Sequence, residues 1–280
     1  MPAALPHQPI GVFDSGLGGL SVLQSLRAEL PAEDYVYLAD SGHAPYGERG
    51  DAYVAQRTLE VARRLREQHQ IKALVVACNT ATTAAIHLLR QAHPDLPLIG
   101  VEPAVKPALA ASRTGCIGVI GTRGTLSSAK FRTLLASLQT QAEFHIQPCD
   151  GLAQAIEAEL LPSHEEESKV IALCQGYTRD LGIFGTEKGQ IDTLVIGCTH
   201  YVFAAPVLRA LVGPGVQLID TGAPVARQTQ RLLAQHGLLR EPGSPLDSVL
   251  GNVQLTSTGD LALLQRAALT WLGLEQPVLA

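Results

Sequence analysis

The sequence predicts an α/β fold made of two similar halves, each with a mostly parallel sheet. Short runs of valine, isoleucine and leucine alternate with longer segments of helical period. Such alternation is typical of parallel strands whose connecting helices cover both faces of a sheet. The halves also resemble each other: IGVFDSG corresponds to IGVIGTRG, and LVVACNT corresponds to LVIGCTH. A duplicated unit of this size predicts two pseudo-symmetric α/β domains.

The elements of the first half follow from apolar runs for strands and from a period of three to four residues for helices. Strands are predicted at 9–13, 34–40, 72–77 and 96–102. Helices are predicted at 18–30, 51–68 and 80–92, the first of them ended by Pro31. The loop SGHAPYGERG follows the second strand.

The second half repeats this order. Strands are predicted at 116–121, 142–149, 192–197 and 216–220. Helices are predicted at 151–160, 165–181, about 202–212 and 223–236. The extended segment VQLTSTGD and a final helix, LALLQRAALTWLG, follow. We therefore expect a first domain of residues 1–99 plus 223–280 and a second domain of residues 100–222.

Composition limits the function classes. The 280 residues are 46% hydrophobic and 17% charged, which is sufficient for a large buried core. The net charge of -5 gives no reason to expect nucleic acid or an anionic membrane as a partner. No apolar run approaches the roughly 18 residues of a membrane span, and the first residues do not resemble a signal peptide. We expect a cytoplasmic protein.

The five cysteines are scattered and form no CxxC pair, so the sequence predicts neither a zinc site nor a disulfide framework. Two of them, Cys78 and Cys198, end a predicted strand and precede a predicted helix. A helix N-terminus favours a thiolate, and the following Asn79, Thr80 and Thr199 could bind a carboxylate there. The alternative is a pair of core cysteines followed by capping residues.

The equivalent placement of the two thiols favours a functional role. Open parallel sheets bind ligands beyond the carboxyl ends of their strands, so two facing units would place both thiols on one shared cleft. One thiolate could then remove a proton from a carbon while the other thiol delivers a proton to the opposite face. Such inversion needs no metal, flavin or pyridoxal phosphate, and we expect no cofactor.

Other candidate residues lie near predicted strand ends. In VFDSGLGGLSVL the glycine spacing does not match a dinucleotide-binding loop, and a tight turn could bring Asp14 and Ser15 to the strand end. The alternative there is a capping aspartate. In the loop after the second strand, Tyr46 offers a hydroxyl and Gly47 allows close approach of a ligand, although a surface turn would look the same. His200 could exchange a proton with Cys198.

The chain resembles the glutamate racemase family. The matching segments occur in family order and reach from about residue 10 to residue 260: FDSGLGGLSVL, APYG, ACNTAT, GVEPAVKPA, VIGTRGT, GCTHY and LIDTG. The resemblance implies a cofactor-independent racemase that interconverts L- and D-glutamate and supplies D-glutamate for peptidoglycan. It implies a small-molecule substrate, and dimers are usual in the family.

The resemblance also assigns roles. It implies that Cys78 and Cys198 are the catalytic thiols, the second acting on L-glutamate and the first on D-glutamate. Asp14 is expected beside Cys78, and His200 with Glu157 beside Cys198. Substrate contacts are expected from these residues and motifs: Asp14, Ser15, Tyr46, Gly47, Asn79, Thr80, Thr122, Thr125, Thr199 and His200. Residues 149–151 are Cys-Asp-Gly, where the family often has Cys-Pro-Leu.

Two alternatives stay open at this point. Aspartate racemases share the fold and the paired thiols, although His200-Tyr201 and the Pro-Tyr-Gly loop favour glutamate. A non-catalytic relative would bind an amino acid without exchanging its α-proton. The N-terminal extension that some relatives use for activation by a cell-wall precursor has no counterpart in the short stretch before Pro9, so we do not expect that activation.

Overall fold

A computed structural model of the protein describes residues 4–161, 168–240 and 250–275. The chain divides into two compact units. Unit 1 is Met1–Val101 together with Gly222–Ala280, and unit 2 is Glu102–Thr221. Each unit contains one parallel sheet and its covering helices, which confirms the predicted α/β class.

Unit 1 contains five strands and five helices within its described residues. The strands are β1 (Ile10–Asp14), β2 (Tyr35–Ala39), β3 (Ala73–Val76), β4 (Leu98–Gly100) and β9 (Val253–Ser257). The helices are α1 (Leu20–Glu29), α2 (Asp51–His69), α3 (Asn79–Ala92), α10 (Gly222–Gln235) and α11 (Leu261–Leu272). Two short 3₁₀ turns, Ser41–His43 and Tyr46–Glu48, lie in the loop after β2.

The sheet of unit 1 has the strand order β4-β3-β1-β2-β9, and all pairs are parallel. The strand β9 comes from the end of the chain and pairs with β2, with Tyr35 opposite Val253 and Ala39 opposite Ser257. Every residue of β1, β2 and β3 is buried, as expected for a sheet covered on both faces. Because the strands are parallel, their carboxyl ends lie at the same edge of the sheet.

Unit 2 contains four strands: β5 (Cys116–Gly121), β6 (Glu143–Pro148), β7 (Thr193–Ile196) and β8 (Gln217–Ile219). Its helices within the described residues are α4 (Val105–Ala111), α5 (Arg123–Leu126), α6 (Ala129–Ala136), α7 (Leu152–Ala158), α8 (Lys169–Leu181) and α9 (Ala205–Val212). The parallel order β6-β5-β7-β8 repeats the order β2-β1-β3-β4 of unit 1. The internal similarity in sequence is thus a similarity in topology.

Two local expectations were wrong in their bounds, and the helices α4, α5 and α6 were not predicted. The helix α4 was not predicted, although Pro107 sits in its first turn, where the missing N–H costs no hydrogen bond. The helix expected at about 202–212 begins only at Ala205, and Thr199–Ala204 form a 3₁₀ turn. Pro206 explains this, because an α-helix that started near residue 202 would place proline in its interior, whereas in α9 it lies in the first turn. The strand expected at 96–102 is confined to Leu98–Gly100.

The helix predicted at 165–181 is α8, and the part of that prediction at 165–167 lies outside the described residues. All five cysteines are buried free thiols. In the described ranges, no helix is long and apolar enough to cross a membrane.

Candidate active site

The site residues of unit 1 are brought together where β1 and β3 end. Asp14 is the last residue of β1, and its carboxylate accepts hydrogen bonds from the Ser15 N–H at 2.7 Å and from the Gly19 N–H. A Cβ atom at Gly19 would lie 2.6 Å from the Cβ of Asp14, so this turn requires glycine. The glycine-rich segment thus forms a tight turn around a buried carboxylate, as the sequence predicts.

Cys78 follows β3 and is the N-cap of α3. Its Sγ accepts a hydrogen bond from the Ala81 N–H at 3.4 Å and lies 3.4 Å from the Ser15 Oγ. The same Ser15 hydroxyl donates to Asp14 Oδ1 at 3.3 Å. One serine hydroxyl therefore connects the carboxylate to the thiol.

The electrostatics of Cys78 differ from the sequence expectation. Burial, followed by the negative charge of Asp14, raises the pKa of the Cys78 thiol to about 12, although hydrogen bonds from Ser15 and Ala81 act in the opposite direction. The expectation that the start of α3 would favour a thiolate is thus wrong for the free protein. At this buried position the loss of hydration raises the pKa more than the hydrogen bonds from Ser15 and Ala81 lower it.

Two polar residues follow Cys78 in the first turn of α3. Asn79 is 6% exposed, and its Oδ1 atom has no hydrogen-bond partner among the described residues. Thr80 is half-buried. An unpaired buried acceptor is costly unless a ligand supplies the donor, so Asn79 is a candidate for contact with a substrate N–H group.

In the Tyr46–Gly47 turn one side chain is buried, while the following residue, Glu48, is exposed. Tyr46 is 1% exposed and belongs to the same core cluster as Cys78 and Phe13. Its hydroxyl donates to Asp40 Oδ2 at 2.6 Å, while Gly47 is half-buried. Sequence reasoning missed Asp40, although an aspartate directly after β2 parallels Asp14 at the end of β1.

The site residues of unit 2 lie where β7 ends. Cys198 and Thr199 are buried, and the Cys198 Sγ lies 3.8 Å from the His200 Nδ1. The His200 Nε2 lies 2.6 Å from the Glu157 Oε1, which reaches it from α7. The structure thus assembles the predicted set of thiol, imidazole and carboxylate.

Cys198 and Glu157 shift the pKa of the His200 imidazole. Burial alone would lower the pKa of His200, but hydrogen bonds with the Cys198 thiol and the Glu157 carboxylate raise it well above its usual value. The charged imidazolium is therefore favoured next to the thiol. A positive group in contact with Cys198 is an arrangement that assists proton exchange at sulfur.

The remaining candidates of unit 2, Thr122 and Thr125, lie beyond the end of β5, which pairs with β7. Thr122 is the N-cap of the short helix α5, and its Oγ1 donates to the Thr125 Oγ1 at 3.0 Å. No hydrogen bond between these threonines and Cys198 is found in the described residues. They lie on the neighbouring strand end, while Cys198, His200 and Glu157 are in contact.

The described residues contain no cluster of three or more histidine, cysteine, aspartate or glutamate side chains that could hold a metal ion. The two strand-end sites contain thiols, one imidazole, carboxylates and hydroxyls. These groups can move protons, and each thiol has its own proton partner.

Comparisons with known proteins agree on one family. The family model for Asp/Glu/hydantoin racemases matches residues 10–229. A glutamate racemase of Ectopseudomonas mendocina (strain ymp) is 52% identical over 231 residues, which are 82% of this chain and 84% of the relative.

Solved structures give the same result. Glutamate racemase isoform RacE1 from Bacillus anthracis superposes with a TM-score of 0.81 at 33% identity, covering 96% of each chain. Escherichia coli glutamate racemase, in complex with L-glutamate and the activator UDP-MurNAc-ala, gives a TM-score of 0.76 at 30% identity. That comparison covers 92% of this chain and 93% of the other.

Proposed function

The chain belongs to the Asp/Glu/hydantoin racemase family and is an amino-acid racemase, and from that premise we propose that it interconverts L- and D-glutamate through two thiols, Cys78 and Cys198. The substrate is inferred from relatives that are glutamate racemases, one of them 52% identical over 231 residues. The two-thiol mechanism is inferred from the site.

One observation carries the mechanism. The two thiols occupy equivalent positions, each directly beyond the third strand of its unit, and each has a separate group for exchanging protons. Cys78 contacts the Ser15 hydroxyl next to the Asp14 carboxylate, whereas Cys198 contacts His200. Two core cysteines without function would not need such different polar surroundings. The proposal requires both thiols to reach one substrate carbon.

The reaction is written as two proton transfers. One sulfur, as thiolate, removes the α-proton, and the electron pair of the C–H bond is delocalised into the substrate carboxylate. The other sulfur, as thiol, donates its proton to the opposite face of the carbon, which inverts the configuration. The raised pKa of Cys78 supports a protonated thiol at this position in the free protein, ready to act as the donor. Cys198, assisted by His200 and Glu157, is then the base.

The groups proposed to bind the substrate are backbone N–H groups, an amide oxygen and hydroxyls, all of them uncharged. The first N–H groups of α3 suit a carboxylate, and the unpaired Asn79 Oδ1 suits the α-ammonium group. Thr80, Thr199 and the Tyr46–Gly47 turn are the other proposed contacts. Hydrogen bonds to the developing negative charge, together with positioning, must supply much of the barrier reduction for so weakly acidic a proton.

The test is proton NMR of L-glutamate and, separately, L-aspartate in D₂O with the purified protein and no added cofactor. We expect loss of the α-proton signal of glutamate, formation of D-glutamate, and little change in aspartate. Because the enantiomers are mirror images, the reaction should end at equal amounts of both. Exchange in aspartate alone would reassign the substrate, and binding without exchange would indicate a non-catalytic relative.

Variants test the mechanism. Cys78→Ala and Cys198→Ala should each abolish racemisation, and substantial turnover by either would refute the two-thiol assignment. Cys116→Ala is a matched control, because this buried thiol lies at the amino end of β5, away from the strand end that precedes Thr122. It should retain activity.

Three finer expectations belong to the proposal. The product D-glutamate would serve peptidoglycan synthesis, the protein would act in the cytoplasm, and it would form a homodimer, as the family resemblance implies. Light scattering after size-exclusion chromatography tests the last of these, and a monomeric mass at micromolar concentration would contradict it.

A further inference from the structure

Asp40 is a buried carboxylate directly beyond β2, and its side chain is 0% exposed. Its backbone N–H donates to the carbonyl oxygen of Asp14 at 2.9 Å, so the two aspartates extend neighbouring strands. Burying a charged carboxylate is costly unless it is paired and hydrogen-bonded. The arrangement around Asp40 meets this requirement with groups from several parts of unit 1.

Both carboxylate oxygens of Asp40 accept several hydrogen bonds. Arg57 binds in a forked geometry, with Nε 3.1 Å from Oδ2 and Nη2 2.9 Å from Oδ1. The Tyr46 hydroxyl donates to Oδ2 at 2.6 Å, and the Thr258 hydroxyl donates to Oδ1 at 2.8 Å. The His43 Nδ1 lies 3.1 Å from Oδ1. Burial would raise the pKa of Asp40, but bonds from Arg57, Tyr46 and Thr258 hold it below its usual value.

These partners join three segments that are distant in the chain. Tyr46 belongs to the loop 41–50, Arg57 to α2, and Thr258 to the residues just after β9. The loop makes further hydrogen bonds to the end of β9 and to the residue after it. The Ser41 and Ser257 hydroxyl oxygens lie 2.8 Å apart, and the Gly42 N–H donates to Thr258 Oγ1 at 3.2 Å. Asp40 is the group on which the three segments converge.

The loop 41–50 has little regular structure of its own, with only two 3₁₀ turns of three residues each. Its one fully buried side chain is Tyr46, whose ring lies 6.2 Å from the ring of Phe13 in the core cluster that includes Cys78. Burial and the Asp40 carboxylate raise the pKa of Tyr46, so its hydroxyl stays protonated as a donor. The bond to Asp40 therefore fixes the turn beside the thiol.

We infer that Asp40 is a positioning residue of the racemase: together with Arg57 it holds the Tyr46–Gly47 turn in the geometry that binds the amino acid beside Cys78. The inference rests on the proposed function, because it takes that turn as part of the substrate site. If Asp40 had only a structural role, its replacement would change the stability of the protein alone. If Asp40 positions the turn, its replacement also changes the KM of the folded variant.

The test is a double-mutant cycle with Asp40→Asn and Tyr46→Phe, measured as KM and kcat for L-glutamate below the melting temperature of each variant. Asp40→Asn should raise KM by about 10- to 100-fold, the range expected for loss of a charged hydrogen bond, with a smaller change in kcat. Tyr46→Phe removes only the hydroxyl and should raise KM less. The double variant should be no worse than Asp40→Asn alone, since both changes break the same bond.

A matched control is Arg63→Gln, on the same helix as Arg57. Arg63 is 55% exposed and pairs only with the exposed Glu60 and Glu67 among the ion pairs of the described residues. Its loss should leave KM unchanged. If Asp40→Asn lowers the melting temperature but the folded variant keeps the KM of the parent, the positioning role is refuted.

Two further measurements keep the inference testable. If the parent protein does not act on glutamate, the proposed function fails, and hydrogen exchange still reports on the turn. Amides of the loop 41–50 should then exchange faster in Asp40→Asn while those of α2 stay protected, and equal exchange would overturn the inference.

If Asp40→Asn does not fold, Arg57→Lys is the substitute, because lysine keeps the positive charge but cannot make the forked pair of hydrogen bonds. An unchanged KM in both Arg57→Lys and Tyr46→Phe would also overturn it.

Discussion

Replacing Asp14 with asparagine should lower the pKa of the Cys78 thiol. Burial is the largest cause of the raised value of about 12, and the Asp14 charge is the next. The carboxylate and the sulfur are bridged by the Ser15 hydroxyl, 3.3 Å from Asp14 Oδ1 and 3.4 Å from Sγ. At a separation on the order of 6 Å and an effective dielectric constant of about 20, two unit charges repel by roughly 3 kcal/mol, which corresponds to about 2 in pKa.

The assay is alkylation of Cys78 by iodoacetamide, followed by peptide mass spectrometry. Near pH 8 the thiol is almost entirely protonated, so the rate follows the thiolate fraction. A pKa lower by about 2 gives roughly 100-fold more thiolate, and the weaker nucleophilicity of that thiolate reduces the net gain to about tenfold. Asp180→Asn, which removes an exposed charge from unit 2, is the matched control and should not change the Cys78 rate.

The result that would refute this reasoning is a Cys78 rate in folded Asp14→Asn that is equal to or below that of the parent. Circular dichroism must show a native fold, because Asp14 also binds the Gly19 N–H in the turn before α1. An unchanged rate would mean that burial alone sets the pKa and that Asp14 serves the turn. Asp14 would then have no electrostatic role at the thiol.

Two further predictions concern stability. Because the pKa of His200 is higher in the folded than in the unfolded protein, its charge stabilises fully below about pH 6.5 and this contribution is lost as the pH rises through the folded value. Glu157→Gln should therefore lower the melting temperature most at or below about pH 6.5 and less as the pH rises, and a difference independent of pH would contradict this. Lys72→Ala breaks a buried 2.5 Å ion pair with Glu33 and should cost about 3–5 kcal/mol in urea denaturation. Arg63→Gln, at an exposed pair, should cost much less than Lys72→Ala, and equal losses would show that burial does not matter.

Much of the fold could be predicted because local patterns agree with the topology. Each strand predicted in the two halves is present, and the strands that are buried along their whole length, β1, β2, β3, β5 and β7, show the continuous apolar runs that burial on both faces selects. The internal similarity also predicts the shared strand order. The 3₁₀ turn after Cys198 was missed because Pro206 prevents an α-helix from starting several residues before it. Hydrophobic periodicity does not register this effect.

The site was predicted less evenly. Cys78 and Cys198 stand out because polar residues end two apolar runs, and Asp14 stands out for the same reason. The pKa of Cys78 could not be predicted, because it depends on complete burial and on a carboxylate 64 positions earlier in the sequence. The role of Asp40 also depends on partners that are separated along the chain, among them Thr258. Such convergence is a tertiary property.

The return of the chain to unit 1 has a consequence for how the protein is made. On the ribosome, the contiguous unit 2, Glu102–Thr221, is complete while β9, α10 and α11 are still to be synthesised. The sheet of unit 1 has no edge strand beside β2 until Val253–Ser257 emerges, and Thr258 reaches Asp40 later still. The nascent chain therefore finishes the Cys198 half first. The Cys78 half acquires its final form only after Val253–Ser257 and Thr258 have been synthesised.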